Sequence, residues 1–176
     1  MICFLMFAGA AVLVMYWFSK VDERTGFLAD FAKLLDRPEI RVGFANYILG
    51  RGYLVGEFAG RKVRIMLERG GEDDLGFLVV SMEAGVLLRL DDGDFEEHAR
   101  DRDGERALFA LKARHDLRLA LRDGCVKARA EQRIFRSFPG RFDPDKWRDV
   151  LEQMHALAGS LERGSIERAS GVARPA

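Results

Sequence analysis

The stretch GRGYLVGEFAGRKVRI, residues 50–65, carries four glycines among basic residues and decides between two kinds of fold. A dinucleotide-binding loop needs the pattern Gly-x-Gly-x-x-Gly between a strand and a helix. Counted from Gly50, the position of the third glycine holds Val55, and the residues that follow alternate like a strand. The sequence also lacks the pattern Gly-x-x-x-x-Gly-Lys-Ser/Thr. A phosphate-binding loop is therefore not predicted here.

The same stretch predicts a β-hairpin. Every second residue from Val63 to Leu67 is apolar, which is the pattern of a strand with one buried face. Ala59-Gly60 separates this strand from an earlier one at residues 53–58, and two residues are the commonest length of a hairpin loop. The glycines are thus explained by turn geometry and by close approach of backbones within a twisted sheet.

Two further strands are predicted after the hairpin, at LGFLVVSM (75–82) and VLLRL (86–90), with a break around Ala84-Gly85. Four antiparallel strands in meander order are the simplest arrangement. Together with the helices below, they predict an α+β fold in which an antiparallel sheet packs with two or three helices.

A helix of about three turns is expected to begin at Thr25 or Gly26 and to end at Pro38. Residues 105–131 allow two interpretations. The first is a helix to about Leu121 followed by a strand from Cys125 to Glu131. The alternative is a second hairpin, because Asp123-Gly124 is a strong turn signal.

The last helix has clear boundaries in the sequence. Asp143 is the expected N-cap, Pro144 the first helical residue, and Gly164 the residue just past the end. One apolar stripe is predicted to face the core, formed by Trp147, Val150, Leu151, Met154, Ala158 and Leu161. Residues 164–176 are polar and are expected to form a disordered tail, so the folded domain is assigned to residues 19–163.

Residues 1–18, MICFLMFAGAAVLVMYWF, contain no charge. As a helix they would span roughly 27 Å, close to the thickness of a bilayer core. Tyr16 and Trp17 suit the headgroup level, and Lys20 and Arg24 follow them. These features predict an uncleaved transmembrane anchor. The alternatives are a cleaved signal peptide and a buried core helix. A signal peptide would need basic residues before the apolar run.

The basic residues lie on the C-terminal flank of this segment, which predicts a single-pass protein of the inner or plasma membrane with a cytoplasmic domain. The two cysteines are consistent with a reducing compartment. Cys3 lies in the apolar segment and Cys125 in the domain, so no disulfide framework is expected.

Three segments together resemble a recurring pattern: LVGEFAGRKVRI, LDDGDFEE and FDPDKWRDVLEQMHALAGSLE. The pattern is similar to that of poorly characterised bacterial proteins with one N-terminal transmembrane helix and a cytoplasmic α+β domain of unknown function. Gly56, Phe58, Gly60 and Arg61 match a Leu-x-Gly-x-Tyr-x-Gly-Arg hairpin of those proteins, with Phe in place of Tyr. The resemblance covers most of residues 50–162 and implies a fold but no catalytic residue.

No enzyme chemistry stands out in the sequence. The acidic run from Asp91 to His98 has its glycine at the wrong position for a calcium EF-hand, and the three histidines are widely separated. Cys125 is expected to be a small core residue rather than a nucleophile. No cofactor, metal or catalytic residue is therefore predicted, and an enzyme with its site near residues 91–98 is the alternative reading.

Charge is distributed unevenly although the net charge is zero. Residues 91–105 hold eight acidic and two basic residues, whereas residues 112–141 hold nine basic and three acidic ones. Arg129, Arg133 and Arg136 are the residues predicted to form an interaction surface. The expected partners are the lipid bilayer and a protein in or at the membrane, and no nucleic acid is expected. The sequence thus predicts a membrane-anchored, non-catalytic interaction or accessory subunit.

Overall fold

The computed structural model describes residue 15 and residues 26–41, 52–69, 75–99, 101–133 and 142–169. These residues form α1 (residues 26–32), β1 (Asp36–Arg41), β2 (Tyr53–Phe58), β3 (Arg61–Arg69), β4 (Leu75–Glu83), α2 (Phe95–His98), α3 (Arg102–Phe109), a π-helix (Ala110–Arg114), β5 (Arg118–Arg122), β6 (Cys125–Arg133) and α4 (Pro144–Ala169). The fold is α+β, as the sequence predicts.

The six strands form one antiparallel sheet in the order β1-β2-β3-β4-β6-β5. The first four strands follow each other along the chain. The β5–β6 hairpin then adds to β4 through β6, over a nine-residue register from Leu75 opposite Arg133 to Glu83 opposite Cys125. The helices α2 and α3 lie in the connection between β4 and β5.

The predicted hairpin at residues 53–67 is confirmed. Phe58 pairs with Arg61, and the turn residues Ala59 and Gly60 have φ angles of 49° and 80°. Positive φ at both positions is the geometry of a type I′ turn, whose twist matches that of the flanking strands.

The predicted meander order is wrong at its fourth strand. Residues 86–90 form no strand, and Leu90 makes only an isolated bridge to Leu121. The reason is that β6 already occupies the edge of β4 to which VLLRL was expected to pair. The apolar residues of this segment serve the core instead, since Val86 and Leu90 are buried while Leu87 is exposed.

The helices cover one face of the sheet, and α4 packs across β4 and β6. Strand residues that point to this face are buried and alternate with residues of the other face, as period-two strands require. The largest fully buried side chains are Phe31, Phe95, Leu28, Leu54, Ile65, Leu78, Met82, Leu111, Leu121, Leu151, Met154 and Leu157.

Helix α1 is confirmed, but its predicted end at Pro38 is wrong. The helical residues stop at residue 32, and Pro38 lies within β1. This strand is an edge of the sheet with an irregular register between Asp36 and Glu39, which is where a proline without an N–H donor is tolerated. Phe27 and Phe31 of α1 form an edge-to-face aromatic cluster with Phe142.

The predicted helix is correct only as far as Arg114, and the predicted strand from Cys125 to Glu131 is confirmed within β6. The alternative of a second hairpin is correct for residues 118–133. Helical structure ends at Arg114, and β5 and β6 pair around the turn Asp123-Gly124, whose φ angles are 57° and 71°. Leu119 and Leu121 are buried, whereas Arg118 and Arg122 are exposed and Ala120 is half-buried, so the segment is a strand with one buried face.

Helix α4 begins as predicted. The Asp143 carboxylate accepts hydrogen bonds of 3.1 Å from the backbone N–H groups of Asp145 and Lys146, and the whole predicted apolar stripe is buried. Its predicted end at Gly164 is wrong, because the helix continues to Ala169. The boundary proposed at residue 164 therefore falls inside a helix, and residues 170–176 lie outside the described part of the chain.

The anchor prediction at residues 1–18 also lies outside the described residues, except for Met15, which is helical and exposed. Tyr16, Trp17 and Lys20 are among those not described. Within the described ranges, no helix combines the length and apolar character needed to cross a bilayer.

Candidate functional site

The sheet has an open face, which we define as the face opposite the helices. The strand pairings align one residue from every strand in a single row across this face: Arg41, Tyr53, Met66, Val79, Arg129 and Arg118. Leu78 and Val80, the neighbours of Val79, belong to the core cluster on the helical side, whereas Val79 does not, although it is itself only 7% exposed. Alternation along each strand therefore separates the open face from the core.

Positive charge predominates among the described side chains of the open face. The alternation places seven cationic residues there: Arg41, Lys62, Arg64, Arg118, Arg122, Lys127 and Arg129. The strand pairings place five acidic residues there: Asp36, Glu39, Glu57, Glu68 and Glu83. The described side chains of the open face thus carry an excess of two positive charges in a chain whose net charge is zero.

Several of these cations have an anionic partner. Arg41 lies 2.7 Å from Glu39, and Lys127 lies 3.1 Å from Asp123. Hydrogen bonding to Glu39, and then to Tyr53, raises the pKa of the Arg41 guanidinium above its usual value. At the sheet edge, Arg122 is 2.7 Å from Asp91 of the acidic run.

Lys62, Arg64 and Arg129 are exposed and make no ion pair with any described residue. The guanidinium of Arg129 lies 3.5 Å from the ring centroid of Phe77, and that of Arg64 lies 4.4 Å from the centroid of Tyr53. Stacking on an aromatic ring restricts an arginine without neutralising it. The face therefore presents oriented, unneutralised positive charge.

Of the three arginines predicted from the sequence, Arg129 lies on the open face. The backbone of Arg133 ends β6 opposite Leu75, and Arg136 lies outside the described residues. Lys62 and Arg64 were missed as partners of Arg129. Their outward orientation was visible in the alternation of β3, but the strand order that joins β3 to β6 through β4 was not.

The acidic run serves local structure. An Asp92 carboxylate oxygen accepts the Leu119 backbone N–H at 2.7 Å, and Asp94 accepts that of Asp91 at 2.9 Å. His98 Nδ1 lies 3.0 Å from the carbonyl oxygen of Asp94. The Asp92 contact ties the run to β5, and the other two lie within the run. Nowhere in the described ranges are three His, Cys, Asp or Glu side chains placed to hold a metal ion.

Cys125 is half-buried at the start of β6. Burial, reinforced by Glu83, raises the pKa of its thiol above the ordinary value. The thiol is thus protonated at neutral pH, and a protonated thiol is a poor nucleophile.

No protein-family model matches this chain, and no curated protein matches it in sequence.

Proposed function

We propose that this protein is a non-catalytic accessory subunit that residues 1–18 anchor in the inner or plasma membrane, with the open face of its cytoplasmic domain lying on the anionic leaflet surface. In this arrangement the chain crosses the membrane once. The helical layer faces away from the lipid, towards a protein partner.

The observation that carries the proposal is the set of exposed cations Lys62, Arg64 and Arg129 on one face of the sheet, which form no ion pair within the described part of the chain. A lysine or arginine near an anionic leaflet gains about 1 kcal/mol. Three of them gain about 3 kcal/mol, equivalent to a preference of roughly a hundredfold for the surface-bound orientation.

The proposed anchor would keep this face within reach of the lipid. Residues 19–25 separate the anchor from α1 and span at most about 25 Å when fully extended. Electrostatic attraction to the leaflet extends over about 8 Å at physiological ionic strength. A short tether therefore holds the domain near the distance at which its charge acts.

The alternative of an enzyme with its site at residues 91–98 has less support. Asp92 and Asp94 already accept backbone hydrogen bonds, and the nearest ionised partner of Asp91 is Arg122. Groups committed to local contacts in this way stabilise the β5 edge rather than face a substrate.

The test uses the full chain in nanodiscs of phosphatidylcholine with or without phosphatidylglycerol. With Cys3→Ser and Cys125→Ser in place, a fluorescent donor on the cysteine of Leu87→Cys, at a 97% exposed position outside the sheet, reports energy transfer to an acceptor on lipid headgroups. We expect more transfer with phosphatidylglycerol, less as salt rises, and loss of the phosphatidylglycerol effect in the variant K62Q/R64Q/R129Q.

A matched control removes three exposed arginines that lie elsewhere, in R89Q/R102Q/R148Q, and we expect it to behave like the wild type. Equal responses of the two triple variants would show that net charge alone matters, and transfer that does not depend on phosphatidylglycerol would contradict contact with the leaflet. A third variant, R129Q/R133Q/R136Q, measures whether the predicted surface extends past β6.

A further inference from the structure

The open face differs in charge between its two ends. We call the end with the turns Ala59-Gly60 and Asp123-Gly124 the turn end, and the opposite end the basic end. Near the basic end, the row from Arg41 to Arg118 contains three arginines and no acidic residue: Arg41, Arg118 and Arg129. Glu68 is the one described acidic side chain on this face beyond that row, so the basic end has a net charge of +2.

Acidic residues predominate at the turn end of the same face. Strand pairing there aligns Asp36, Glu57 and Lys62, and it also aligns Glu83, Cys125 and Arg122. Three carboxylates against two cations give the turn end a net charge of −1.

The helical layer shows at which end the chain enters the domain. Helix α4 runs from the basic end to the turn end, because Glu162 in its C-terminal half pairs at 2.7 Å with Arg61, the first residue of β3. Phe27, in the first turn of α1, lies at the other end of α4. Its ring centroid is 5.5 Å from that of Phe142, one residue before the N-cap of α4. Residue 26, the end of α1 that leads to the proposed anchor, is therefore at the basic end.

The acidic run adds negative charge to the turn end. Asp91 pairs at 2.7 Å with Arg122, the last residue of β5, and Asp101 pairs at 2.7 Å with Arg163, the residue after Glu162. Residues 84–104 carry five exposed acidic side chains against the two exposed described cations Arg89 and Arg102: Asp91, Asp94, Glu96, Glu97 and Asp103. The domain is thus polarised along its strands, with the chain entering at the positive end.

The two ends are far enough apart for their charges to act separately. Lys62 and Met66 mark the turn-end row and the arginine row on β3, and four residues of strand span about 13 Å. Exposed charges are largely screened beyond about 8 Å at physiological ionic strength. A domain lying flat would bring acidic side chains to the anionic lipid, whereas an inclined domain keeps the arginines in contact and lifts the acidic end out of range.

We propose that the domain stands inclined on the leaflet, with its basic end against the phosphate groups of anionic lipids and its turn end in the cytoplasm. Arg129 is suited to this contact, because a guanidinium stacked on Phe77 can still offer its N–H edge to a phosphate. The inference rests on the proposed leaflet contact and narrows it to one end of the open face.

Two label positions report the inclination. Ala113 is exposed beside Arg114, which pairs with Asp149, and Leu87 is exposed in the loop after β4, which packs against Glu162. Asp149 and Glu162 are thirteen residues apart on α4, so the two labels differ in level by roughly 20 Å. Cysteine at either position leaves the charge of the domain unchanged.

The experiment uses the full chain in the same nanodiscs, with Cys3→Ser and Cys125→Ser in place and the donor on Ala113→Cys or Leu87→Cys. We expect phosphatidylglycerol to raise energy transfer to the headgroup acceptor more strongly from Ala113→Cys than from Leu87→Cys. The difference between the two labels should diminish as salt rises.

Variants at the two ends separate position from net charge. R41Q/R129Q and R89Q/R122Q each remove two exposed arginines, one of which is ion-paired. The change at the basic end should lower the equilibrium constant for leaflet contact roughly thirtyfold, and the change at the turn end should leave it as in the wild type. Of two single changes on the open face, R129Q should weaken contact more than K62Q.

Equal increases from the two labels would show that the open face lies flat, and a larger increase from Leu87→Cys would show that the turn end is lowest. Either result, or equal losses in the two double variants, would overturn the inclined orientation while retaining the leaflet contact. If neither label responds to phosphatidylglycerol, the proposed leaflet contact itself is wrong. Circular dichroism of each variant establishes that the fold is intact.

Discussion

Arg61 and Glu162 form an ion pair with two parallel hydrogen bonds of 2.7 Å, which joins the first residue of β3 to the C-terminal half of α4. Arg61 also donates to the Glu83 carbonyl oxygen at 3.1 Å. A Cβ at Gly85 would lie 2.8 Å from a Glu162 carboxylate oxygen, so the pair requires a glycine at that position. One side chain thus fastens the helical layer to two strands.

This ion pair should make stability depend on pH. Hydrogen bonding to Arg61 lowers the pKa of Glu162 below its usual range, so the carboxylate stabilises the fold above the unfolded-state pKa of about 4.3. That contribution is lost as pH falls through the folded-state pKa. Glu162→Gln should lower the free energy of unfolding by about 1–2 kcal/mol at neutral pH, a loss that solvent screening limits. The difference in unfolding free energy between the variant and the wild type should shrink below pH ~4.

Urea unfolding of both proteins at neutral and acid pH measures this difference. Glu39→Gln is the control, because the pair between Glu39 and Arg41 is exposed on both sides and should leave stability unchanged. A difference that persists undiminished in acid would mean that Glu162 acts by packing rather than by charge.

The β2–β3 turn should be sensitive to the backbone conformation of its two residues. Gly60 has φ +80° and no atom near its missing Cβ, so Gly60→Val should destabilise the domain by about 1–3 kcal/mol through backbone strain alone. Ala59→Asn should stabilise the domain, because Ala59 has a φ angle of 49° and asparagine is favoured at positive φ in such turns. Gly93→Val is the control with free space and no positive φ. Melting temperatures compare the variants, and equal values for Gly60→Val and Gly93→Val would contradict the prediction.

The close approach of α3 and α4 should depend on Gly104. A Cβ there would lie 2.8 Å from Ser160 Cβ, so Gly104→Ala should cost about 1–3 kcal/mol despite alanine's better helix propensity. Ser160→Gly should relieve the clash, giving a favourable coupling energy in a double-mutant cycle. Gly159→Ala, where the Cβ fits, should instead stabilise by about 0.5–1 kcal/mol. Additive effects in the cycle would argue against the contact.

Helix α1 should be indispensable for folding, whereas residues 1–18 should not be. Phe31 is fully buried and lies 5.1 Å from the Trp147 ring centroid, so Phe31→Ala should cost about 3–5 kcal/mol. Leu87→Ala, at a 97% exposed residue, is the control.

Removal of residues 1–18 should release a soluble, folded domain, and removal of residues 1–35 should not. Circular dichroism measures whether each truncated protein folds, and fractionation after a high-salt wash measures whether it leaves the membrane. If the protein without residues 1–18 fails to fold, the apolar segment is part of the core and the prediction is wrong.

The most predictable parts of the fold are those that depend on neighbouring residues. The turn at Ala59-Gly60 follows from backbone stereochemistry, and the alternation of β3 follows from one buried face. The start of α4 follows from a capping aspartate, Asp143, and a proline at the first helical position. Each of these signals involves residues only a few positions apart, so a short stretch of sequence is enough to predict the feature.

Long-range features were less predictable. An apolar run such as residues 86–90 suits a strand or an irregular buried segment equally well, and the choice depends on which strand pairs with β4. Gly164 satisfies the pattern of a helix end, yet α4 continues through it, because local propensity is a weak constraint where a helix packs along its length.

The candidate surfaces divide in the same way. Arg129 was identified from the local excess of basic residues, and the outward orientation of Lys62 and Arg64 from their alternation in β3. The sequence alone does not show that these three charges share one face. That depends on the strand order, which places β4 between β3 and β6. The close packing of α3 against α4 is also long-range, because it brings together Gly104 and Ser160, which are 56 positions apart in the chain.

The sequence by itself determined the α+β class, the first hairpin, the beginning of the last helix and the charge asymmetry, because period, caps and turn residues act over one or two turns of chain. The tertiary structure decided the insertion of β6 beside β4, the open face and the packing of α3 against α4. These depend on which apolar faces bury each other most completely, and that free energy is shared among residues far apart in the chain, so no local pattern specifies it.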